Sequence, residues 1–287
     1  MIGVGDLVVR QSYGHDVCFV VMSVDTNQGI AVLKGLDVRL IADAPIDDLD
    51  PISEADFKSY QMEQNKLEND TIRLVQLRRQ VEKDKQGYRS ERKRHPHDFF
   101  ERPGRVLHLD GDGTYLEKCL TIYRRLGIRA VGKNIPESHM AEEMTELLEE
   151  YEPDILIITG HDGVLRKNIS QEVLRIDNYR NSDHFVRAVR AARKYERSLD
   201  ELIIFAGACQ SHYEALLDAG ANFASSPQRI LIHALDPVFV AEKIAYTPIN
   251  ETVDIYHVVR STITGTDGLG GVESRGKYRI GLPRSRF

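Results

Sequence analysis

Two apolar segments that end in small and polar residues decide the fold: DILIITGHDG at 154–163 and ELIIFAGACQS at 201–211. Both are nearly continuous apolar runs, which are typical of strands buried on both faces of a parallel sheet. Outward from them, strand-like and helix-like segments alternate from 104 to 245. Such alternation predicts an α/β fold, so we expect residues 104–287 to form a mostly parallel sheet with helices on both faces.

The first 103 residues are predicted to form two smaller units. Residues 1–51 contain four short β-rich runs separated by turns at 13–16 and 27–29, which indicates a small SH3-like β-barrel. Residues 52–103 are expected to be a helical, basic linker, because apolar residues recur at helical spacing as far as Leu77. From Arg78 to Arg94 this segment has eight basic and three acidic residues.

The overall composition excludes several classes of protein. Hydrophobic residues make up 41% of the 287 residues and the net charge is −6, so nucleic-acid binding is not favoured. The N-terminus lacks the pattern of a signal peptide, and no apolar run reaches the roughly 18 residues of a membrane span. We therefore expect an intracellular protein. The three cysteines, Cys18, Cys119 and Cys209, lack the spacing of a disulfide framework or a zinc site, and the first two are interpreted as core residues.

Polar residues follow the predicted strands at their carboxyl ends, where ligands bind in open α/β sheets. His161 and Cys209 follow two strands that are neighbours in chain order, so we expect an imidazole and a thiol to meet at one edge. This pair suits nucleophilic catalysis, because the imidazole can activate the thiol and later protonate the leaving group. The start of the helix after Cys209 would also favour the thiolate. We therefore predict a cysteine peptidase with Cys209 as nucleophile and His161 as general base and acid.

Backbone amides beside this pair are candidates for an oxyanion hole. They belong to the loops at 207–209 and 162–163, and in particular to Gly207, Asp162 and Gly163. A strand ending in His, followed 48 residues later by a strand ending in Ala-Cys, resembles the caspase-like fold of cysteine peptidases. In that group the His is normally followed by Gly, whereas here Asp162 precedes Gly163.

The segment VLHLDGDGT at 106–114 supports a competing interpretation. It resembles the first motif of haloacid-dehalogenase-type phosphatases, in which Asp110 would be the nucleophile, Asp112 the general acid and Mg²⁺ the cofactor. The later acidic pair of that family is missing, since HALDP offers only Asp236 and TGHD only Asp162. In a peptidase, Asp110, Asp112 and Asp236 would instead be candidates for a substrate pocket that selects Arg or Lys. Turn formation, with helix capping by Asp112, is an equal alternative.

Several longer segments resemble one family across nearly the whole chain: LHLDGD, PDILIITGHDG, FAGACQSHYEALLDAGANFASSP, IHALDP and GLGGVESRG. They are similar to the YabG family of sporulation-specific peptidases. The resemblance implies a cysteine peptidase of the mother cell, without a cofactor, that cleaves after Arg in spore coat and cortex-associated proteins and also processes itself. It further implies association with the spore coat. By position, it assigns the catalytic residues to His161 and Cys209.

Self-processing would need an accessible basic site, and the linker offers Arg78, Arg79, Arg89, Arg92 and Arg94. The alternative for these residues is a solvated, charged helix. Two other functions stay open at the level of sequence. One is the Mg²⁺ phosphatase, and the other is a non-catalytic coat-assembly factor whose partners bind the barrel and the linker. The oligomeric state and a third catalytic group are not predicted.

Overall fold

A computed structural model describes residues 2–87, 99–164 and 175–285. Its N-terminal part is a five-stranded antiparallel sheet in the order β4-β3-β2-β1-β5. Alternate side chains, among them Phe19, Val21 and Leu33, are buried in a small core of this sheet, as the two-residue period of a strand requires. The strands are β1 Leu7–Arg10, β2 Phe19–Asp25, β3 Ile30–Gly35, β4 Ile41–Pro45 and β5 Leu49–Pro51.

A single long helix, α1 Glu54–Gly87, follows this sheet. The hydroxyl of Ser53 accepts a hydrogen bond from the Asp56 N–H at 3.1 Å, which caps the start of the helix. Ile72 and Val75 on α1 are buried in the core of the following domain. The linker segment of the sequence is therefore packed against the following domain at Ile72 and Val75, and Glu82 and Lys83 still bond to it through Lys243 and Glu101.

The second domain contains a six-stranded sheet in the order β12-β11-β10-β9-β7-β8. The strands from β7 to β11 pair in parallel, and only β12 pairs antiparallel within this sheet. A separate pair, β6 Phe100–Arg102 and β13 Arg279–Gly281, lies outside it. The strands of the large sheet are β7 Val106–Asp110, β8 Ala130–Asn134, β9 Ile155–Thr159, β10 Ile203–Ala206, β11 Phe223–Ser225 and β12 Leu269–Gly271.

Helices cover both faces of this sheet. Along β9, Ile155 and Ile157 point into one core, and Leu156 and Ile158 point into the other. The first core includes α1, α2, α6 and α7, and the second includes α3, α4 and α5. These helices are α2 Gly113–Leu126, α3 Met140–Tyr151, α4 Ser182–Tyr195, α5 Tyr213–Asp218, α6 Asp236–Tyr246 and α7 Ile255–Val259.

The predicted fold class is therefore confirmed: a mostly parallel sheet lies between helices, and an antiparallel sheet precedes it. In the part of the chain described, no helix is both long and apolar enough to cross a membrane. Of the proposed cleavage sites, Arg89, Arg92 and Arg94 lie outside the described residues. Arg78 and Arg79 lie within α1.

Candidate active site

The register of three adjacent strands brings three polar residues to one edge of the sheet. In the β7-β9-β10 part, Leu109 pairs with Ile158, and Ile158 pairs with Ala206. Asp112, His161 and Cys209 each follow these partners by three residues. The predicted adjacency of the strands that carry His161 and Cys209 is thus found, with Asp112 beside them on the third strand.

The His161 imidazole lies between two carboxylates. Its Nε2 is 3.2 Å from Asp112 Oδ2, and its Nδ1 is 3.8 Å from Glu137 Oε1. Burial lowers the pKa of His161, but the two carboxylates act in the opposite direction and the net result is a raised pKa. The Nε2–Oδ2 contact lacks hydrogen-bond geometry, so Nε2 has no hydrogen-bond partner among the residues the structure describes. The two carboxylates therefore stabilise the protonated form of the ring, and Nε2 keeps a hydrogen-bonding position that no described residue fills.

Glu137 is a site residue that the sequence interpretation missed. It lies between β8 and α3, and its Oε1 accepts the backbone N–H of His161 at 2.8 Å. A Cβ on Gly111 or Gly160 would lie 2.3 Å or 2.2 Å from that same oxygen, so the two glycines let the carboxylate approach. Burial raises the pKa of Glu137, but its hydrogen bonds with His161 lower it by a larger amount, so the net pKa is lowered and the side chain is a carboxylate. Applying the strand-end rule to β8 as well would have identified this residue.

Cys209 is fully buried and its thiol is not activated in this structure. Its Sγ accepts the Ile232 N–H at 3.2 Å and lies 3.6 Å from the Ile232 carbonyl oxygen. No hydrogen bond joins Cys209 to His161 among the described parts of the chain. Burial raises the pKa of the thiol to about 12, which outweighs any effect of α5, a helix of six residues that begins at Tyr213. The structure is therefore that of a thiol in a resting state.

Two of the three amides proposed for an oxyanion hole already have acceptors. The Gly207 N–H donates to the Ile158 carbonyl at 3.0 Å, and the Gly163 N–H donates to Asp162 Oδ1 at 2.9 Å. The N–H groups of Asp162 and Cys209 have no acceptor within the described ranges. Those two amides flank the thiol and the imidazole, so they are the better candidates of the two loops.

The Asp162 side chain connects the two loops of the site. Its Oδ1 also accepts the Asn181 N–H at 2.9 Å, and its Oδ2 accepts the Ser182 and Ser211 hydroxyls. Burial raises the pKa of Asp162, although these donors oppose the shift. The carboxylate thus ties the end of β9 to the start of α4 and to the loop after Cys209.

The three acidic residues proposed for a substrate pocket have different surroundings. Asp110 is fully buried, and its Oδ2 accepts Arg39 Nη1 at 2.8 Å. Burial raises the pKa of Asp110, but Arg39, His108 and the Asp112 N–H together lower it by more, to about 2. Asp236 is fully buried as well, and its carboxylate accepts the His233 N–H at 3.2 Å and bonds the segment at 263–264. Asp112 faces His161 and also forms an ion pair with Lys34.

A group of possible metal ligands lies nearby, but its chemistry fits an ion poorly. Asp37, Glu68 and His233 bring their ligand atoms within 4.8 Å of one another. Asp37 already pairs with Lys118 Nζ at 2.7 Å. His233 Nδ1 accepts the Leu235 N–H at 3.2 Å, and burial lowers the pKa of His233 to about 4, so the neutral ring carries its proton on Nε2. The nitrogen that faces the carboxylates is therefore an N–H group and not a free lone pair.

Comparison with known proteins identifies the family. Residues 3–283 match the model of the family described as YabG peptidase U57. The chain belongs to this family. One relative is the sporulation-specific protease YabG of Bacillus subtilis (strain 168), which is 43% identical over 284 residues. The alignment covers 98% of this chain and 97% of the relative. The resemblance found in the sequence is thus confirmed for the U57 peptidase family.

Membership of the U57 peptidase family supports the predicted peptidase and not the phosphatase. The buried pairing of Asp110 with Arg39 points the same way, because it occupies the carboxylate that would attack phosphate. One solved structure with a similar region is a two-component response regulator of the LuxR family from Aurantimonas sp. SI85-9A1. The sequences are 19% identical, and the aligned region covers 42% of this chain and 71% of the regulator chain. Its TM-score of 0.27 is too low to support any inference.

Proposed function

We propose that this U57-family chain is a cysteine endopeptidase with Cys209 as nucleophile and His161 as general base and acid. The observation that carries the proposal is their equivalent position beyond the paired strands β9 and β10. A buried imidazole flanked by two carboxylates is suited to accept and hold a thiol proton. Cys18 and Cys119 are also buried, and no hydrogen bond joins either thiol to a histidine among the described residues. Cys119 Sγ lies 3.5 Å from Arg39 Nη2 and 3.5 Å from the Ala234 carbonyl oxygen.

The reaction would begin with transfer of the Cys209 thiol proton to His161. The thiolate then attacks the carbonyl carbon of the scissile bond and forms a tetrahedral intermediate. The imidazolium returns the proton to the amine that leaves, and an acyl-enzyme results. Water, deprotonated by His161, hydrolyses the acyl-enzyme and regenerates the thiol. Asp112 and Glu137 act as positioning residues, since they stabilise the imidazolium that appears in both half-reactions.

The oxyanion of the tetrahedral intermediate would be bound by backbone amides. The N–H groups of Asp162 and Cys209 are the proposed donors, because they adjoin the two catalytic side chains. Loss of one such donor typically costs about 10²–10³ in turnover, so their geometry matters. The Asp162 carboxylate contributes indirectly, since its bonds to Gly163, Ser182 and Ser211 fix the loop that carries the first donor.

The substrates are proposed to be proteins of the spore coat and cortex, cut on the carboxyl side of Arg, with Lys as a second choice. The sporulation-specific name of the 43% identical relative supports a role in sporulation. The mother cell is the proposed location. An acidic pocket residue would account for selection of a basic side chain, and Asp110 is the acid that already binds a guanidinium.

Self-processing is also proposed, but not at Arg78 or Arg79. Both lie within α1, and their guanidinium groups are bonded to Ser261 and Glu242. Peptidases bind extended chain, which a helix interior does not offer. The masses of the intact wild-type protein and of Cys209→Ala after expression would reveal processing, and identical masses would exclude it.

The central experiment compares purified wild type, Cys209→Ala and the control variant Cys18→Ala on peptides that contain Arg, Lys or Asp. We expect Cys209→Ala to lose at least about 10³-fold in rate, because nucleophile and base act as a unit. Cys18→Ala should retain the wild-type rate, since Cys18 lies in the N-terminal domain. Full hydrolysis by Cys209→Ala would disprove the proposed nucleophile.

A further inference from the structure

The loop at 36–40, which joins β3 to β4, lies against the edge of the parallel sheet that carries His161 and Cys209. Its Asp37 carbonyl accepts the Ala234 N–H at 2.8 Å, and its Val38 carbonyl accepts the Tyr115 hydroxyl at 2.7 Å. Val38 also forms a bridge with His233. A loop of the N-terminal sheet is therefore bound by the segment 232–234 and by α2 of the second domain.

One side chain of this loop, Arg39, fills a pocket made by the second domain. Arg39 is fully buried, and its Nη1 is 2.8 Å from Asp110 Oδ2. Nη2 and Nε donate to the Ala234 carbonyl at 3.0 Å and 3.3 Å, and the Tyr115 ring centre is 5.2 Å from Cζ. An acid, a carbonyl and an aromatic face are the groups that recognise a guanidinium.

The backbone of Arg39 lies beside the thiol. The Arg39 N–H donates at 3.3 Å to the Ile232 carbonyl, which is the same oxygen that lies 3.6 Å from Cys209 Sγ. The next residue, Leu40, comes within 4.0 Å of the position that a Cβ on Gly163 would have. Arg39 thus has its main chain near the nucleophile and its side chain on an acid, as the residue before a scissile bond would.

The conformation of the loop differs from that of a peptide ready for cleavage. The Leu40 N–H donates to the Val38 carbonyl at 2.8 Å, which closes a tight turn centred on Arg39. A second basic residue of the same hairpin, Lys34, pairs with Asp112 and donates to Thr114 Oγ1 at 3.3 Å. The hairpin therefore blocks the site with two cations and presents a turn in place of an extended strand.

We propose that the pocket of Asp110, Ala234 and Tyr115 is the arginine subsite of the enzyme, and that Arg39 occupies it in cis and keeps the enzyme latent. The latency rests on the proposed peptidase function. The occupancy of the pocket by Arg39 does not depend on that function. Substrates would gain access when the 36–40 loop withdraws. The alternative is that the Arg39–Asp110 pair only holds the two domains together.

The test uses Arg39→Met, which keeps an unbranched side chain without the guanidinium, and the control Arg10→Met, which removes an arginine paired with Asp48 within the N-terminal sheet. We expect alkylation of Cys209 by iodoacetamide, followed by peptide mass spectrometry, to be at least about tenfold faster in Arg39→Met than in wild type. Arg10→Met should react like wild type. Equal rates in all three proteins would overturn the proposal.

A ligand experiment separates a subsite from a structural ion pair. Agmatine, which carries a guanidinium on an alkyl chain, should raise the melting temperature of Arg39→Met and leave that of wild type unchanged. The added change Asp110→Asn should abolish the effect. Should Arg39→Met fail to fold, Arg39→Gln replaces it, since its amide can still donate to the Ala234 carbonyl but leaves the Asp110 carboxylate without a cation. Absence of stabilisation by agmatine in the variant that folds would overturn the subsite.

Peptide hydrolysis gives a third, independent result. Arg39→Met should cleave an Arg-containing peptide faster than wild type does. If agmatine binding and Cys209 exposure behave as expected while no variant cleaves any peptide, the occupied subsite stands and the proposed peptidase chemistry fails. If Cys209-dependent cleavage occurs at the same rate in wild type and Arg39→Met, the latency is wrong and the peptidase stands.

Discussion

The carboxylate of Asp112 should control the protonation of His161, and Asp112→Asn tests this directly. At the observed 3.2 Å and an effective dielectric constant of about 20, two unit charges attract by about 5 kcal/mol, which is an upper bound because Lys34 shares the carboxylate. An adjacent opposite charge typically shifts a pKa by about 1–3 units, and each unit corresponds to about 1.4 kcal/mol. We therefore expect the pKa of His161 to fall in Asp112→Asn, because the nearer of its two carboxylates loses its charge.

The asparagine keeps the structural role of this position. Asp112 Oδ1 accepts the Thr114 and Tyr115 N–H groups at 2.8 Å and 3.0 Å and caps α2, and asparagine is an equally good cap. The His161 pKa can be followed by NMR titration of the imidazole carbon-bound protons. Glu137→Gln is the matched control, because Glu137 is 3.8 Å from Nδ1 and should give a smaller fall.

A second variant must shift the same pKa in the opposite direction. Lys34→Gln removes the cation that competes for Asp112, so the pKa of His161 should rise above its wild-type value. An unchanged pKa in Asp112→Asn, or shifts of the same sign in both variants, would refute the reasoning. The two measurements together separate a charge effect from a general loosening of the site, which would return the pKa toward 6.5 in either case.

The same ion pair predicts a pH-dependent stability. Because the folded-state pKa of His161 is raised, the pair contributes stability below the unfolded value of 6.5 and loses it as the pH rises through the folded value. Urea unfolding should therefore show that Asp112→Asn is destabilised more at about pH 6 than at about pH 9. A larger destabilisation at about pH 9 than at about pH 6 would show that the His161–Asp112 ion pair is not the source of the pH dependence.

Two further predictions concern stability, and urea unfolding measures both. Asp162→Asn should lower the free energy of unfolding by about 2–4 kcal/mol, because an NH₂ group replaces one of two carboxylate oxygens that each accept two hydrogen bonds. Ser211→Ala removes only one donor to that carboxylate, so its loss of stability should be smaller. Arg79→Ala should cost about 3 kcal/mol, because the Glu242 carboxylate, bonded at 2.6 Å and 2.8 Å, would stay buried without a partner. Adding Glu242→Gln to Arg79→Ala should recover part of that loss, and no recovery would contradict the explanation.

The sequence was sufficient to predict the central sheet and the two residues at its edge. Continuous apolar runs such as 155–158 and 203–206 are distinctive, because few segments can be buried on both faces. The strand-end rule then singles out His161 and Cys209 without knowledge of any contact. The helix boundaries follow from caps such as Asp112 and the left-handed Gly127, which begin and end α2.

The surroundings of the pair could not be predicted in the same way, because they come from distant parts of the chain. Lys34 and Arg39 belong to the first domain, and no spacing in the sequence indicates that a hairpin 70 residues before Asp110 reaches the sheet edge; Arg39 and Asp110 are 71 positions apart. The chemical state of Cys209 could not be predicted from a motif either, since burial in the folded protein raises the pKa of its thiol to about 12. Glu137 could have been predicted from the sequence, but only by considering the residues after the carboxyl end of every strand, including β8.

The contacts of the β3–β4 hairpin link exposure of the thiol to the state of the imidazole. Lys34 at the end of β3 competes with His161 for Asp112, while Arg39 in the adjoining loop lies against the segment that covers Cys209. Withdrawal of this one hairpin would remove both contacts together. Asp112 would then act on His161 alone and raise the imidazole pKa further. Two opposite effects would act on Cys209: loss of burial would lower the pKa of the thiol from about 12, whereas loss of the Arg39 charge and N–H would raise it. Under the proposed latency, a single movement of the hairpin would therefore give a substrate access to the thiol and stabilise the imidazolium form of His161.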